Sequence, residues 1–283
     1  MPSVIIDGIA TRYEIAGSGP PLLMFSPGGF DATVEKWSNL GIYAKTRPLD
    51  HLTRHFTCIL FDRRECGQSG GRVEAITWAH YAAQGKGLLD HLKIDSAHLM
   101  GGCMGCSPVL NFAVAHPHRV KSMILYWPVG GARYRINGQQ RFADHLAFVE
   151  ANGLAATVAL VRESGKPFGG DPRGGPWASL IKSDPQFAAG YAAHDLESYK
   201  RLTARMAAAL LDRDTAPGAE AEDLLRCTIP ALVIPGHDPS HATSAARYLE
   251  ECLPGSRYWD RPVEDQTEAA SAAQLLDFLQ RQD

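Results

Sequence analysis

Residues 97–107 read Ala97-His98-Leu99-Met100-Gly101-Gly102-Cys103-Met104-Gly105-Cys106-Ser107. A brief apolar run passes through glycines into Pro108 to Ala115, so the stretch predicts a strand turning directly into a helix. In the spacing G-x-C-x-G, small residues two before and two after the centre let the backbone turn without clashes. The central side chain is left exposed in a strained conformation. Cys103 then stands at a helix N-terminus, whose partial positive charge favours an anion and lowers a thiol pKa.

Four further apolar runs surround this turn: Leu22 to Phe25, Cys58 to Phe61, Met123 to Tyr126 and Ala231 to Ile234. All but the last are separated by lengths that suit crossover helices, which predicts a mainly parallel sheet with helices on both faces. Ser3 to Ile6 and Arg12 to Ile15, parted by Asp7-Gly8, read as an opening hairpin. Residues 133–225 show helical spacing instead, as in Phe142, Leu146, Val149 and Leu202, Met206, Leu210, broken by the Gly/Pro-rich stretch Lys166 to Pro176. The expected division is therefore an α/β core from 1–132 and 226–283 with a helical insertion at 133–225. Ala245 to Cys252 predicts a helix, Arg257 to Trp259 a short strand, and Leu275 to Leu279 a closing amphipathic helix.

Composition narrows the function classes. Of 283 residues, 45% are hydrophobic and 21% charged, as in a globular protein rather than a disordered chain. With 28 basic and 31 acidic residues the net charge is −3, so nothing in it favours nucleic acid or an acidic membrane as partner. No stretch approaches the ~18 apolar residues of a membrane span. Met1 to Gly8 lacks a basic region followed by an apolar run, and a cytoplasmic location is the expectation. The six cysteines are scattered, which argues for burial or thiol chemistry over a disulfide framework.

The turn at Gly101-Gly102-Cys103-Met104-Gly105 resembles the nucleophile elbow of the α/β-hydrolase family, with cysteine where most members carry serine. Other landmarks follow in the family's order. Met24-Phe25-Ser26-Pro27-Gly28-Gly29-Phe30 resembles its oxyanion loop, and Phe61-Asp62-Arg63-Arg64-Glu65-Cys66-Gly67-Gln68-Ser69 its D-x-R-G-x-G-x-S loop, with Glu65 where glycine is usual. Val233 to Asp238 resembles the strand and turn that carry the acid of the triad, making Asp238 the matching carboxylate. The resemblance covers nearly the whole chain. It implies an α/β-hydrolase fold, a helical cap at 133–225, and an oxyanion hole built from the Met104 amide and one from the Gly28-Gly29-Phe30 turn.

The pattern breaks at the general base. The family takes its histidine from a loop before the last helix, but the matching stretch, Trp259 to Thr267, contains none, and no histidine follows His241. Three solutions are open: His241 or His237 reaches Cys103 from the acid loop; a carboxylate, Glu65, Glu264 or Asp265, serves a thiol that needs less activation than a hydroxyl; or Cys103 performs no acyl chemistry.

Other constellations read more weakly. Cys103-x-x-Cys106 has the spacing of a dithiol pair, but the elbow geometry argues against exchange chemistry. His237 and His241 flank Pro239, which prevents a regular helix from carrying both on one face, so no metal is expected. No glycine cluster forms a nucleotide-binding motif, so no cofactor is expected. Trp127 and Tyr134 are candidate pocket walls, with Arg133 or Arg135 as candidate partners of a substrate carboxylate. The expected activity is hydrolysis of a small carbonyl compound through Cys103, with Asp238, His241 and Glu65 as its assistants and Met104, Gly29 and Phe30 around the oxyanion. The alternative is a catalytically silent or non-hydrolytic ligand-binding member of the fold. The expected partner is a small-molecule substrate, and homodimer formation is left open.

Overall fold

A computed structural model describes residues 2–282. Eight strands form one sheet: β1 (Ser3–Ile6), β2 (Ile9–Ala16), β3 (Pro21–Phe25), β4 (Thr57–Phe61), β5 (Ala97–Gly102), β6 (Val120–Tyr126), β7 (Ala231–Ile234) and β8 (Ser256–Tyr258). Their order is β1-β2-β4-β3-β5-β6-β7-β8. Only the pairs β1–β2 and β2–β4 are antiparallel, and every other pair is parallel. The mainly parallel sheet is the one expected from the apolar runs, and its architecture is the α/β-hydrolase fold that the resemblance implies. The hairpin turns through Asp7 (φ 50°) and Gly8 (φ 70°), so pairing begins at Ile6–Ile9 and the second strand starts earlier than Arg12.

The central strands are apolar throughout because both faces are covered. Leu23, Phe25, Ile59 and Phe61 point into one core with the elbow helix Cys106–Ala115. Leu22, Met24, Cys58 and Leu60 point into the other, against the last helix Glu268–Gln280 and short helices between Lys36 and Leu52 that periodicity did not reveal.

Between β6 and β7 the chain is helical: Ala132–Ser164, Ala178–Ser183, Pro185–Ala192 and Leu196–Leu210. The first is broken at Gly153, whose φ of 80° and ψ of 169° leave two helices end to end. Phe142, Val149, Trp177, Tyr199 and Met206 from this layer share a core with Tyr81, Met104 and Val129, so the helices pack onto the loops at the carboxyl ends of the strands. In open α/β sheets that edge is where ligands bind. No helix among the described residues is long and apolar enough to cross a membrane.

Candidate active site

The elbow forms as its spacing requires. β5 ends at Gly102, and Cys103 adopts φ +54°, the left-handed region that costs a non-glycine residue about 1–2 kcal/mol. The turn can be this tight because Gly105 lies against β3: a Cβ there would sit 2.3 Å from the Phe25 carbonyl oxygen. Cys103 is half-buried, whereas Cys106 is buried, with its thiol donating to the Gly101 carbonyl at 3.1 Å. Burial pushes the Cys106 thiol well up, so the pair does not form two reactive thiols.

Asp238 and His241 stand on the loop after β7. His241 Nδ1 lies 2.9 and 2.8 Å from the two Asp238 carboxylate oxygens, and Asp238 also accepts from the amides of Ser240 (2.8 Å) and His241 (3.0 Å). The loop is pinned to the end of β6 by a bridge between Gly130 and His241, with the Gly130 amide donating to the Ser240 carbonyl at 3.1 Å. This arrangement turns the imidazole towards the elbow. Its Nε2 is buried facing the Cys103 sulfur, and the two groups shift each other's ionisation through charge and a hydrogen-bonding contact.

Those shifts have one sense. Burial opposes the thiolate, but the charge and proximity of His241, with the amides of Gly28 and Met104, outweigh it and hold the Cys103 thiol below its ordinary range. Burial likewise opposes the imidazolium, but the Cys103 thiolate and Asp238 raise His241 to about 10. The hydrogen bond to His241 is the main cause of an Asp238 pKa near 2. Both shifts favour the charged forms, a thiolate beside an imidazolium.

The amides set against the sulfur belong to Gly28 and Met104. On the loop after β3, the amide that faces the sulfur is that of Gly28, ahead of the expected Gly29 and Phe30. Gly29 offers its carbonyl to Arg63, and the Phe30 ring packs edge-on against Phe142 and Phe168, with centroids 5.7 and 5.3 Å away.

Among the other candidate bases, Glu65 and His237 have partners of their own. Glu65 accepts from Arg64 Nε at 2.9 and 3.3 Å, so its carboxylate faces that guanidinium. Burial still raises Glu65 to about 7. His237 is exposed and meets Thr243 Oγ1 at 3.2 Å. Glu264 and Asp265 occupy an exposed turn, Val263–Asp265. Arg135 pairs with Asp214, while Arg133 is exposed at a surface cleft of about 450 Å³ shared with His237 and Asp238. Tyr134 is half-buried, its phenol raised by burial and then by the negative charge of Cys103.

Gln266 escaped the sequence reading. It sits in the loop where the resemblance places the histidine, is fully buried, accepts from Trp127 Nε1 at 2.8 Å, and donates to the carbonyls of Pro235 (2.8 Å) and Arg261 (3.2 Å). Trp127 in turn lies against the His241 ring, with centroids 5.5 Å apart. The only sequence signal was position: an amide side chain immediately before the last helix.

Residues 21–146 match the family described as alpha/beta hydrolase fold. Among curated proteins, the chain is 35% identical over 120 residues to 2-hydroxy-6-oxo-6-phenylhexa-2,4-dienoate hydrolase of Comamonas testosteroni, covering 42% of this chain and 40% of that one. It is 32% identical over 125 residues to the dihydrolipoyllysine-residue acetyltransferase component of the acetoin cleaving system of Cupriavidus necator, covering 44% of this chain and 31% of that one. The chain thus spans well under two thirds of the length of these relatives. Solved structures agree over nearly the full length. The enol-lactonase from Burkholderia xenovorans LB400 superposes with a TM-score of 0.62 at 21% identity, covering 99% of this chain and 100% of that one. A hydrolase from Pseudomonas aeruginosa PA01 gives 0.66 at 24%, covering 98% and 97%.

Proposed function

We propose that this chain, built on the α/β-hydrolase fold, is a hydrolase of small carbonyl compounds (an ester, lactone, thioester or activated C–C bond) with Cys103 as nucleophile. One observation carries the reading: the buried Nε2 of His241, held by Asp238 through Nδ1, faces the Cys103 sulfur, and the two shift each other's ionisation. An orienting acid, an imidazole and a nucleophile in series are the parts that acyl transfer needs.

In this mechanism the Cys103 thiolate attacks the carbonyl carbon, forming a C–S bond as the π electrons move to oxygen. The Gly28 and Met104 amides stabilise the oxyanion. Collapse expels the leaving group, which takes the Nε2 proton of His241, and leaves an acyl-thioester on Cys103. Neutral His241 then removes a proton from water, the hydroxide displaces the thiolate, and the acid product leaves with imidazolium restored. Asp238 holds Nδ1–H throughout, fixing the tautomer that keeps Nε2 available. Residues 133–225 are read as a cap that walls the site with Tyr134 and excludes water from the charged pair. Similarity to hydrolases of small carbonyl compounds supports the reaction class.

The test is to mix the enzyme with p-nitrophenyl acetate and follow nitrophenolate release and intact mass. The expected result is a burst with an acetyl adduct on Cys103 that Cys103→Ala abolishes and His241→Ala slows. Turnover unchanged in Cys103→Ala would overturn Cys103 as the nucleophile, and no adduct and no turnover with any of a panel of esters, lactones and thioesters would leave the silent ligand-binding reading in its place.

A further inference from the structure

Two neighbouring strands end together at the nucleophile. Gly102 of β5 and Tyr126 of β6 are the last residues paired between them, and the residues that follow, Cys103 and Trp127, both adopt φ +54°. Left-handed backbone at a residue other than glycine persists only where its surroundings hold it. Cys103 carries the sulfur, and the Trp127 ring lies against His241. The two bends thus carry the two sides of the reacting pair.

One side chain stands at both bends. Tyr43, on the short helix Gly41–Thr46, is buried, and its hydroxyl donates to the Tyr126 carbonyl at 2.9 Å. The same phenol lies against Gly102: a Cβ on that glycine would sit 3.0 Å from both Cζ and the hydroxyl oxygen. Burial pushes the Tyr43 phenol well up, and after burial the largest influence on it is the charge of Cys103, with the Cys103 amide also in reach.

Edge-on packing against Trp37 and Tyr126, with centroids 5.1 and 5.3 Å away, fixes the ring and so the direction of the hydroxyl. Cys106 turns the same way: its thiol reaches the Gly101 carbonyl at 3.1 Å and the Tyr126 carbonyl at 3.6 Å. A thiol is a weak donor, so of the two side chains the Tyr43 hydroxyl makes the stronger tie.

We propose that Tyr43 is a positioning residue for the nucleophile: its hydroxyl clamps the ends of β5 and β6 together, so that Cys103 keeps its bend and its sulfur stays before His241. This rests on the reading of Cys103 as nucleophile, but it names a residue outside the reacting groups, and its test reads the thiol directly. Without the hydroxyl, the Tyr126 carbonyl loses that donor and the turn relaxes. The sulfur then drifts from the imidazole and from the Gly28 and Met104 amides, all of which favour the thiolate.

The experiment measures the pH profile of Cys103 alkylation by iodoacetamide in the full chain, beside melting temperature and p-nitrophenyl acetate kinetics. Tyr43→Phe, which removes only the hydroxyl, is expected to move the midpoint of the profile up by about half a pH unit or more. It should lower kcat about tenfold while KM stays within about twofold. Thr46→Val is the control, since it removes another buried hydroxyl from the same helix, one that bonds the Ile42 carbonyl at 2.9 Å and the Tyr126 hydroxyl at 3.0 Å. It should melt lower and leave the midpoint in place. An unmoved midpoint in Tyr43→Phe overturns the proposal, as does an equal shift in Thr46→Val. Should Tyr43→Phe not fold, Gly102→Ala decides. Gly102 has extended backbone, φ −110° and ψ 135°, so an added Cβ acts by pressing on the Tyr43 phenol and the Trp37 ring, each 3.0 Å away. A raised midpoint is expected there, and an unmoved one overturns the clamp. A Cys103 that forms no acyl adduct defeats the hydrolase reading but leaves the alkylation profiles readable.

Discussion

The two carboxylate oxygens of Asp238 lie 2.9 and 2.8 Å from Nδ1 of His241, three residues later on the same loop. Acid and imidazole therefore enter the site together, on a loop fastened to the end of β6 through Gly130. The loop before the last helix contributes support instead: Gln266 ties Trp127, and Trp127 lies against the imidazole.

Replacing Asp238 with Asn keeps the shape but removes the charge. The His241 pKa, held near 10 in part by Asp238, falls, and with it the imidazolium that stabilises the thiolate. The Cys103 thiol pKa then rises towards its ordinary value. The pH profile of iodoacetamide alkylation should move to higher pH, and acyl-transfer turnover should drop by about 10²–10⁴-fold, with the far-ultraviolet spectrum unchanged.

Gln266→Ala strands the Trp127 Nε1–H and the Pro235 carbonyl in a buried place. Unmet buried groups of this kind cost about 1–3 kcal/mol each, and a loss of about 2–3 kcal/mol is expected, roughly 5–10 °C in melting temperature. Because Trp127 is loosened while Asp238 is untouched, the alkylation profile should shift less than in Asp238→Asn. Scanning calorimetry and the alkylation series check the two effects separately.

The elbow was legible because its determinants are local: two glycines, a small apolar strand and a helix within eleven residues. The sheet was legible because parallel strands buried on both faces leave continuous apolar runs. The histidine was harder to place, since spacing does not encode how a loop containing Pro239 folds back; His241 could be named only as one candidate among several. Glu65 belonged to that group, and its commitment to Arg64 depends on backbone at φ +66°, which composition does not signal.

Glu65 gives a pH signature of stability. Burial lifts its folded-state pKa to about 7 from an ordinary 4.5, against the pull of Arg64, so the folded chain binds this proton more tightly than the unfolded chain. Its contribution therefore favours folding at low pH, declines as pH rises from about 4.5 to 7, and is level above that. The unfolding free energy of wild type minus that of Glu65→Gln should fall across this window in urea titrations. A flat difference would mean that Arg64 keeps the carboxylate ionised throughout. The Cys103 alkylation profile should be the same in both proteins.

Gly28 and Gly29 separate loop shape from loop stability. Gly28 has φ +118°, a conformation nearly confined to glycine, and a Cβ there would lie 2.7 Å from the Asp31 carbonyl oxygen. Gly28→Ala must therefore shift the turn and carry its own amide away from the sulfur. Gly29 has φ +61° with nothing within 4 Å of a Cβ, so Gly29→Ala meets only the left-handed penalty of about 1 kcal/mol. If the Gly28 amide holds the oxyanion, Gly28→Ala should lower turnover about 10²–10³-fold and move the thiol pKa up slightly, since that amide also favours the thiolate. Gly29→Ala should retain most turnover while melting a few degrees lower. Steady-state kinetics beside melting curves for the two variants distinguish the assignments: the opposite ranking, with Gly29→Ala inactive and Gly28→Ala active, would move the donor to Gly29.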